Sequence, residues 1–232
     1  MSTSNKWTIF DLLGTGSCLL CDTPLPRRSQ ALCPDCYQDL PRLHHACYGC
    51  GLPLQQAPAS SLCGRCLRHS RVVHHTHTLF HYRPPLDRLI LAAKFSRGLA
   101  QAKFLGDLLA RQPATELPEA FLPMPLHPSR QRQRGYNQAL EMARSFHHWQ
   151  RPILNTQVIR QRPTLAQSDL NAPQRRRNVR GAFAVVSALK FNHIAIVDDV
   201  VTTGSTVNEL ARCLLRHGVQ RVDVWACARA HR

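Results

Sequence analysis

No apolar run in this 232-residue chain approaches the roughly 20 residues of a membrane-spanning helix. The amino-terminal stretch lacks a basic segment before an apolar core, and Asp11 interrupts its one candidate. A secretory leader is therefore not expected, and the reading is of a cytoplasmic protein without membrane insertion. Aromatic residues are only 6% of the chain, so a row of base-stacking rings is not evident. Acidic residues are scarce, 14 against 30 basic ones, for a formal net charge of +16. Lysine is scarcer still, since 26 of those 30 are arginine. The planar guanidinium suits two-point contact with phosphate better than an ammonium does. Eleven arginines fall within residues 120–180, opposed only by Glu141 and Asp169. Such clustering favours a phosphate-rich partner over a plain solvated surface. Single-stranded nucleic acid fits it better than a membrane surface, because no basic amphipathic helix stands out.

The run Ile194–Thr206 carries the most chemistry. Ile194 to Val197 read as a buried strand, with Asp198 and Asp199 at its carboxyl end. Thr202, Thr203, Gly204, Ser205 and Thr206 then form a loop of small residues. Val207, Leu210, Ala211, Leu214 and Leu215 recur at helical spacing, and Gly218 supplies a stop. Small residues at a helix amino terminus let backbone N–H groups approach a phosphate. Paired carboxylates accept hydrogen bonds from a vicinal diol. The implied ligand is a ribose bearing a 5′-phosphate. No Gly-Lys-Ser/Thr follows the acidic strand, which excludes a P-loop.

Eight of ten cysteines form four Cys-x-x-Cys pairs: Cys18/Cys21, Cys33/Cys36, Cys47/Cys50 and Cys63/Cys66. Two such knuckles complete one tetrahedral site, so two structural zinc ions are expected. Pairing the first knuckle with the second and the third with the fourth is simplest; interleaved pairing fits the spacings nearly as well. A redox role needs a Cys-x-x-Cys that opens a helix near a βαβ unit, and none of the four reads that way. His44, His45 and His69 are spare ligands that eight thiolates do not require. Cys213 and Cys227 read as small core residues. Residues 1–70 form a double zinc-ribbon module, and residues 71–232 a second domain.

In that second part His74, His75, His77 and His81 read as exposed histidines on an edge strand, before Pro84-Pro85 ends it. Helices are predicted from Leu86 to Arg111, broken near Ser96-Arg97-Gly98. A short strand at Phe121 ends in a proline-bounded turn, Pro125-Leu126-His127-Pro128. The closely spaced Arg130, Arg132 and Arg134 make that turn a second phosphate site, ahead of a helix reaching about Trp149. Further strands are expected at Ile153–Ile159, Phe183–Val186, Ile194–Val197 and Val222–Ala228, with a charged, exposed loop at Arg160–Arg180. Strands alternating with helices imply a parallel α/β domain.

The Ile194–Thr206 run resembles the 5-phosphoribosyl-1-pyrophosphate (PRPP) signature of type I phosphoribosyltransferases. The order of features extends the likeness along nearly the whole chain. It runs through four knuckles, Lys94-Phe95-Ser96, Pro125-Leu126-His127, Arg134-Gly135-Tyr136-Asn137-Gln138, then Thr164, Gln167-Ser168, Arg175, Asn178-Val179 and Phe183, ahead of the acidic pair. In this order it resembles the ComF family and its GntX-like members. The resemblance implies a type I phosphoribosyltransferase-like parallel sheet with helices on both faces, behind the zinc ribbon. It implies that Asp198 and Asp199 hold the ribose hydroxyls and Thr202 to Thr206 the 5′-phosphate. Pro125, Leu126 and His127, with Arg130, Arg132 and Arg134, would face pyrophosphate, with Mg²⁺ accompanying PRPP. Arg162 to Asn178 would match the loop that closes over PRPP, and Arg162, Arg175, Arg176 and Arg177 would meet nucleic acid. The family is associated with DNA uptake in natural transformation, so single-stranded DNA and a competence helicase are the implied partners. No group that selects a particular nucleobase is identifiable. The chain begins Met1-Ser2 and Cys18 belongs to a knuckle, so glutamine-dependent amidotransfer is not expected. Three functions stay open: a DNA-handling factor with a phosphoribosyl pocket, a transferase acting on a small base or amine, and a PRPP-sensing regulator without turnover.

Overall fold

A computed structural model describes residues 16–26, 31–58, 60–95, 98–112, 116–163 and 178–230. Two short strands, β1 (Gly16–Ser17) and β2 (Pro24–Leu25), pair antiparallel around the first knuckle. Helices α1 (Pro34–Gln38) and α2 (Gly64–Arg68) begin inside the second and fourth. Then come β3 (His75–His81), α3 (Leu86–Ala92), α4 (Leu99–Ala110) and β4 (Ala120–Pro123). Two more helices, α5 (Pro128–Arg134) and α6 (Gln138–Arg144), lead into a 3₁₀ turn at Ser145–Trp149. The chain continues through β5 (Val158–Arg160), β6 (Phe183–Val185), β7 (His193–Val201), α7 (Ser205–Arg216) and β8 (Arg221–Arg229).

Four strands form the parallel sheet, in the order β3-β8-β7-β4. The central pair is apolar on both sides, as a strand covered by helices on both faces requires. Ala195, Val197, Trp225 and Cys227 point into a core with α3, α4 and Phe146. Ile194, Ile196, Val222, Val224 and Ala226 point the other way, against Val207, Leu210, Ala211 and Leu214 of α7. The expected architecture, a parallel sheet with helices on both faces, is present. Cys213 and Cys227 are buried core residues, as expected. Among the described residues, no helix is long and apolar enough to cross a membrane.

Four local readings differ. β7 runs on to Val201, so the acidic pair lies inside the strand rather than beyond it; β8 is equally long and continues to pair there. The Ile153–Ile159 strand shrinks to β5, because a turn at Asn155-Thr156 leaves Ile153 with one isolated bridge to Phe121. β5 and β6 pair antiparallel, apart from the main sheet. The supposed arginine-bearing loop is the helix α5, capped by the His127 ring and started by Pro128. Gly135, at φ +80°, ends it in the left-handed conformation that glycine adopts most easily.

The cysteine-rich segment packs on the outer side of β3. The Leu43 N–H donates to Leu79 O, the His81 N–H to Pro41 O and the Thr76 N–H to Tyr48 O, at 2.8–2.9 Å. Leu32 and Leu40 share a core with Phe80 and α4.

Candidate functional site

A cleft of about 610 Å³ opens where β7 gives way to α7. Asp198 and Asp199 line it with Thr202, Gly204, Ser205 and Thr206. The opposite side carries Leu126, Arg130, Arg134, Gln138 and Arg160. A crevice beside strand ends is where open α/β sheets bind ligands. Gly204 sits at the N-cap of α7 at φ +77°, where its lack of a side chain leaves the helix entrance uncovered. The 12-residue helix therefore presents its positive end to the cleft. Thr203, which does not line the cleft, braces the loop: its Oγ1 accepts from the Ser205 N–H and lies 2.9 Å from Ser205 Oγ.

Both aspartates are buried. Asp198 Oδ1 accepts from the Asp199 N–H at 2.9 Å, and Asp199 Oδ1 from the Val200 N–H at 2.7 Å. Lys94 Nζ lies 3.4 Å from Asp199 Oδ2, to which Gln138 Nε2 donates at 3.3 Å. Burial, and then the charge of Asp199, raises the Asp198 carboxyl to about 8. A carboxyl whose pKa rises on folding stabilises the fold fully below its unfolded value, near 3.8, and loses that stability as pH climbs through about 8. The ligand-free protein is thus expected to melt at lower temperature at pH 9 than at pH 6. Asp198→Asn removes the repulsion. It should flatten that dependence and raise Tm at pH 9 by at least about 2–4 °C, the shift roughly 1 kcal/mol gives a chain of this size. Calorimetric melts across pH check this, and an unchanged slope in the variant contradicts it.

Of the residues assigned to pyrophosphate, the structure gathers some and not others. Arg130 and Arg134 are four apart on α5, so one helical face carries both to the cleft. Arg132, two residues from each, is exposed on the other side. Pro125 is buried, and His127 is spent on capping, accepting from the Ser129 N–H at 3.3 Å. Neither lines the cleft. Arg134 Nη1 donates to Gln138 Oε1 at 3.1 Å, and Gln138 in turn donates to Asp199, so the arginine wall is wired to the acidic floor. Arg160 is buried over the Phe183 ring; burial, then the charge of Arg130, pulls its pKa down to about 10. Burial and then Arg134 lower Arg130 as well. Mutually repelling guanidinium groups beside a helix amino terminus are chemistry for a polyanion. The sequence reading missed Lys94, Gln138 and Arg160 as cleft residues. Arg162 is exposed, donating to Arg180 O at 3.1 Å. Arg175, Arg176 and Arg177 lie outside the described residues, as do Thr164, Gln167 and Ser168.

Cys18, Cys21, Cys33 and Cys36 gather in one cluster and Cys47, Cys50, Cys63 and Cys66 in another, all ligand atoms of each within 4.8 Å of one another. Knuckles thus pair consecutively rather than interleaved. Sulfurs of Cys21 and Cys33, and of Cys50 and Cys63, are 3.7 Å apart. A tetrahedral zinc with bonds of about 2.3 Å holds its sulfurs about 3.8 Å apart, so the residues fit two structural zinc ions. N–H groups of Cys36 and Cys63 donate to the sulfurs of Cys33 and Cys47. His44, His45 and His69 lie outside both clusters. Cys33 and Cys63 are N-caps, so two of the pairs open short helices. Those helices are five residues long and their cysteines are shared with a second knuckle, which is a metal setting rather than a redox one.

Arg229 joins the second metal cluster to the cleft. Buried at the end of β8, its Nε donates to Cys50 O at 2.8 Å. Its Nη1 donates to Val201 O at 2.9 Å and also to Thr202 O, where the loop before α7 starts.

Residues 9–67 match the double zinc ribbon domain. The chain is 36% identical over 222 residues to the DNA utilization protein YhgH of Salmonella typhimurium, covering 92% of this chain and 97% of that one. It is 35% identical over 224 residues to competence protein F of Haemophilus influenzae, covering 92% and 96%. Competence protein ComFC of Bacillus subtilis is 25% identical over 232 residues, covering 87% and 89%. With paired Cys₄ clusters ahead of a parallel sheet, and likeness to competence protein F along almost its full length, the chain belongs to the ComF family.

Proposed function

We propose that this chain handles single-stranded DNA during natural transformation and holds PRPP or ribose 5-phosphate in the cleft between α7 and α5. The observation that carries the reading is the juxtaposition of a paired-acid floor, an uncovered helix entrance and an arginine wall. Each matches one part of the ligand: diol, 5′-phosphate and pyrophosphate. The competence and DNA utilization names of its relatives support the DNA role. In such a role the aspartates orient the sugar, and Arg130, Arg134 and Arg160 neutralise charge at C1. Were transfer to occur, pyrophosphate would leave C1 and Mg²⁺ would share its charge with those arginines. The same cleft without an acceptor serves a sensor.

Titration with PRPP plus Mg²⁺, and separately with single-stranded DNA across salt, tests the reading. DNA affinity should fall with a log–log slope of roughly −0.7 per phosphate neutralised. Arg175→Ala/Arg176→Ala/Arg177→Ala should lower affinity and slope for every sequence alike, because phosphate contacts carry no base information. Zinc content should not change. A protein that ignores DNA at low salt but consumes PRPP with a small base is a transferase; PRPP binding with neither marks a regulator.

A further inference from the structure

The histidines of β3 are not the exposed row that the alternation suggested. His75 and His77 are half-buried in a row of ring contacts: Tyr48 stacks on His75 with centroids 3.8 Å apart, and tilted contacts join His75 to His77 at 3.7 Å and His77 to Trp225 at 4.8 Å. Two residues apart on one strand, they share a face of the sheet. In the parallel register, Asp223 of β8 is the partner of His75 and Trp225 that of His77. One ligand atom from each of His75, His77 and Asp223 falls within 4.8 Å of the others.

We propose that His75, His77 and Asp223 form a third metal site, built for a zinc-class first-row dication. Two imidazoles and one carboxylate are a donor set that such ions accept, leaving further positions to water. The ring nitrogens of His75 and His77 have no hydrogen-bond partner among the described residues, so their lone pairs are uncommitted. Burial lowers His75 to about 4 and His77 to about 3, which keeps both neutral, the ligating form, at physiological pH. Burial alone would raise Asp223, but hydrogen bonds from His193 and Arg221 hold it below the ordinary carboxylate value, hence ionised. His193 Nε2 lies 2.9 Å from Asp223 Oδ2, and Arg221 donates to both oxygens at 3.1 and 3.3 Å. Those three contacts orient the carboxylate as a ligand needs, and leave one of its roughly four acceptor positions open. The site stands apart from the acidic pair: Asp223 pairs with Ala195 in β7, three residues before Asp198, toward the amino ends of the strands.

The experiment is a metal count on the full chain, loaded with zinc and freed of excess by gel filtration. Wild type should hold three ions per chain and His75→Gln/His77→Gln two. Loading with cobalt separates the sites by colour. The two Cys₄ sites give thiolate-to-cobalt charge-transfer bands that persist in the variant. The third ion adds only weaker visible bands, which the variant lacks. Persisting charge transfer also shows that the variant has folded; the single variant His75→Gln, expected to weaken the third ion at least tenfold, replaces the pair if it has not. Two ions in wild type overturn the proposal, as do three ions in both proteins.

Discussion

Replacing Asp198 and Asp199 together by alanine is expected to weaken ribose 5-phosphate or PRPP at least about a hundredfold. At pH 9, above the value of about 8 for Asp198, each aspartate supplies a charged acceptor to one hydroxyl, and such a bond contributes roughly 1.5–3 kcal/mol. The pair therefore accounts for two or more powers of ten in affinity. The strand should survive, because Ile194 to Val197 keep their burial on both faces and the variant removes two carboxylates that repel each other. Isothermal calorimetry at fixed Mg²⁺ measures the loss, with melting temperature as the check on folding. Undiminished affinity in a folded variant would move the sugar phosphate out of this cleft and remove the basis of the proposed function.

The segment from Ile194 to Gly218 was legible because every cue in it is local. Four apolar residues, two acids, small loop residues, an apolar helical stripe and a glycine stop succeed one another without needing a distant partner. The knuckles were legible for the same reason, although spacing left the pairing open and only the packing closes it. α5 was not legible. Between Pro128 and Arg134 it has no apolar residue, so periodicity has nothing to act on, and the signals are a capping ring before it and Gly135 after it. Its helical turn decides that Arg130 and Arg134 reach the cleft while Arg132 does not. Lys94, Gln138 and Arg160 reach the site from a turn after α3, the start of α6 and the end of β5, segments far apart in the chain, which no local pattern reports. β5 and β6 are three residues each, and their pairing depends on chain closure rather than on alternation.

The other large effect concerns the second metal cluster. Cys47→Ser should release one of two thiolate-bound zinc ions, and with it folding free energy drawn from the roughly 10–16 kcal/mol that such an ion contributes in small zinc domains. Cys47 is fully buried, so its loss cannot be made good by water at the surface. The consequence should not stop at the ribbon. Arg229 spans from Cys50 O to Val201 O, so a loosened knuckle frees a buried guanidinium that fixes the start of the loop before α7. Sugar-phosphate affinity is therefore expected to fall at least tenfold in Cys47→Ser. Arg229→Lys should show the same fall while retaining its thiolate-bound zinc, since an ammonium cannot span both carbonyls. Metal analysis with calorimetry on both variants checks this. Unimpaired sugar-phosphate binding in Cys47→Ser would show that the loop does not depend on the ribbon.

The backbone bonds from Pro41, Leu43 and Tyr48 to β3 carry a consequence of another kind. β3 is one of the two edge strands of the sheet, and Thr76, Leu79 and Phe80 give it the composition of a segment that pairs readily with other chains. An uncovered edge of that sort is a template for intermolecular β-pairing. The ribbon closes it, and the ribbon depends on its metal. Chains made under zinc starvation should therefore clump through β3, so that zinc supply governs how much of this protein stays in solution.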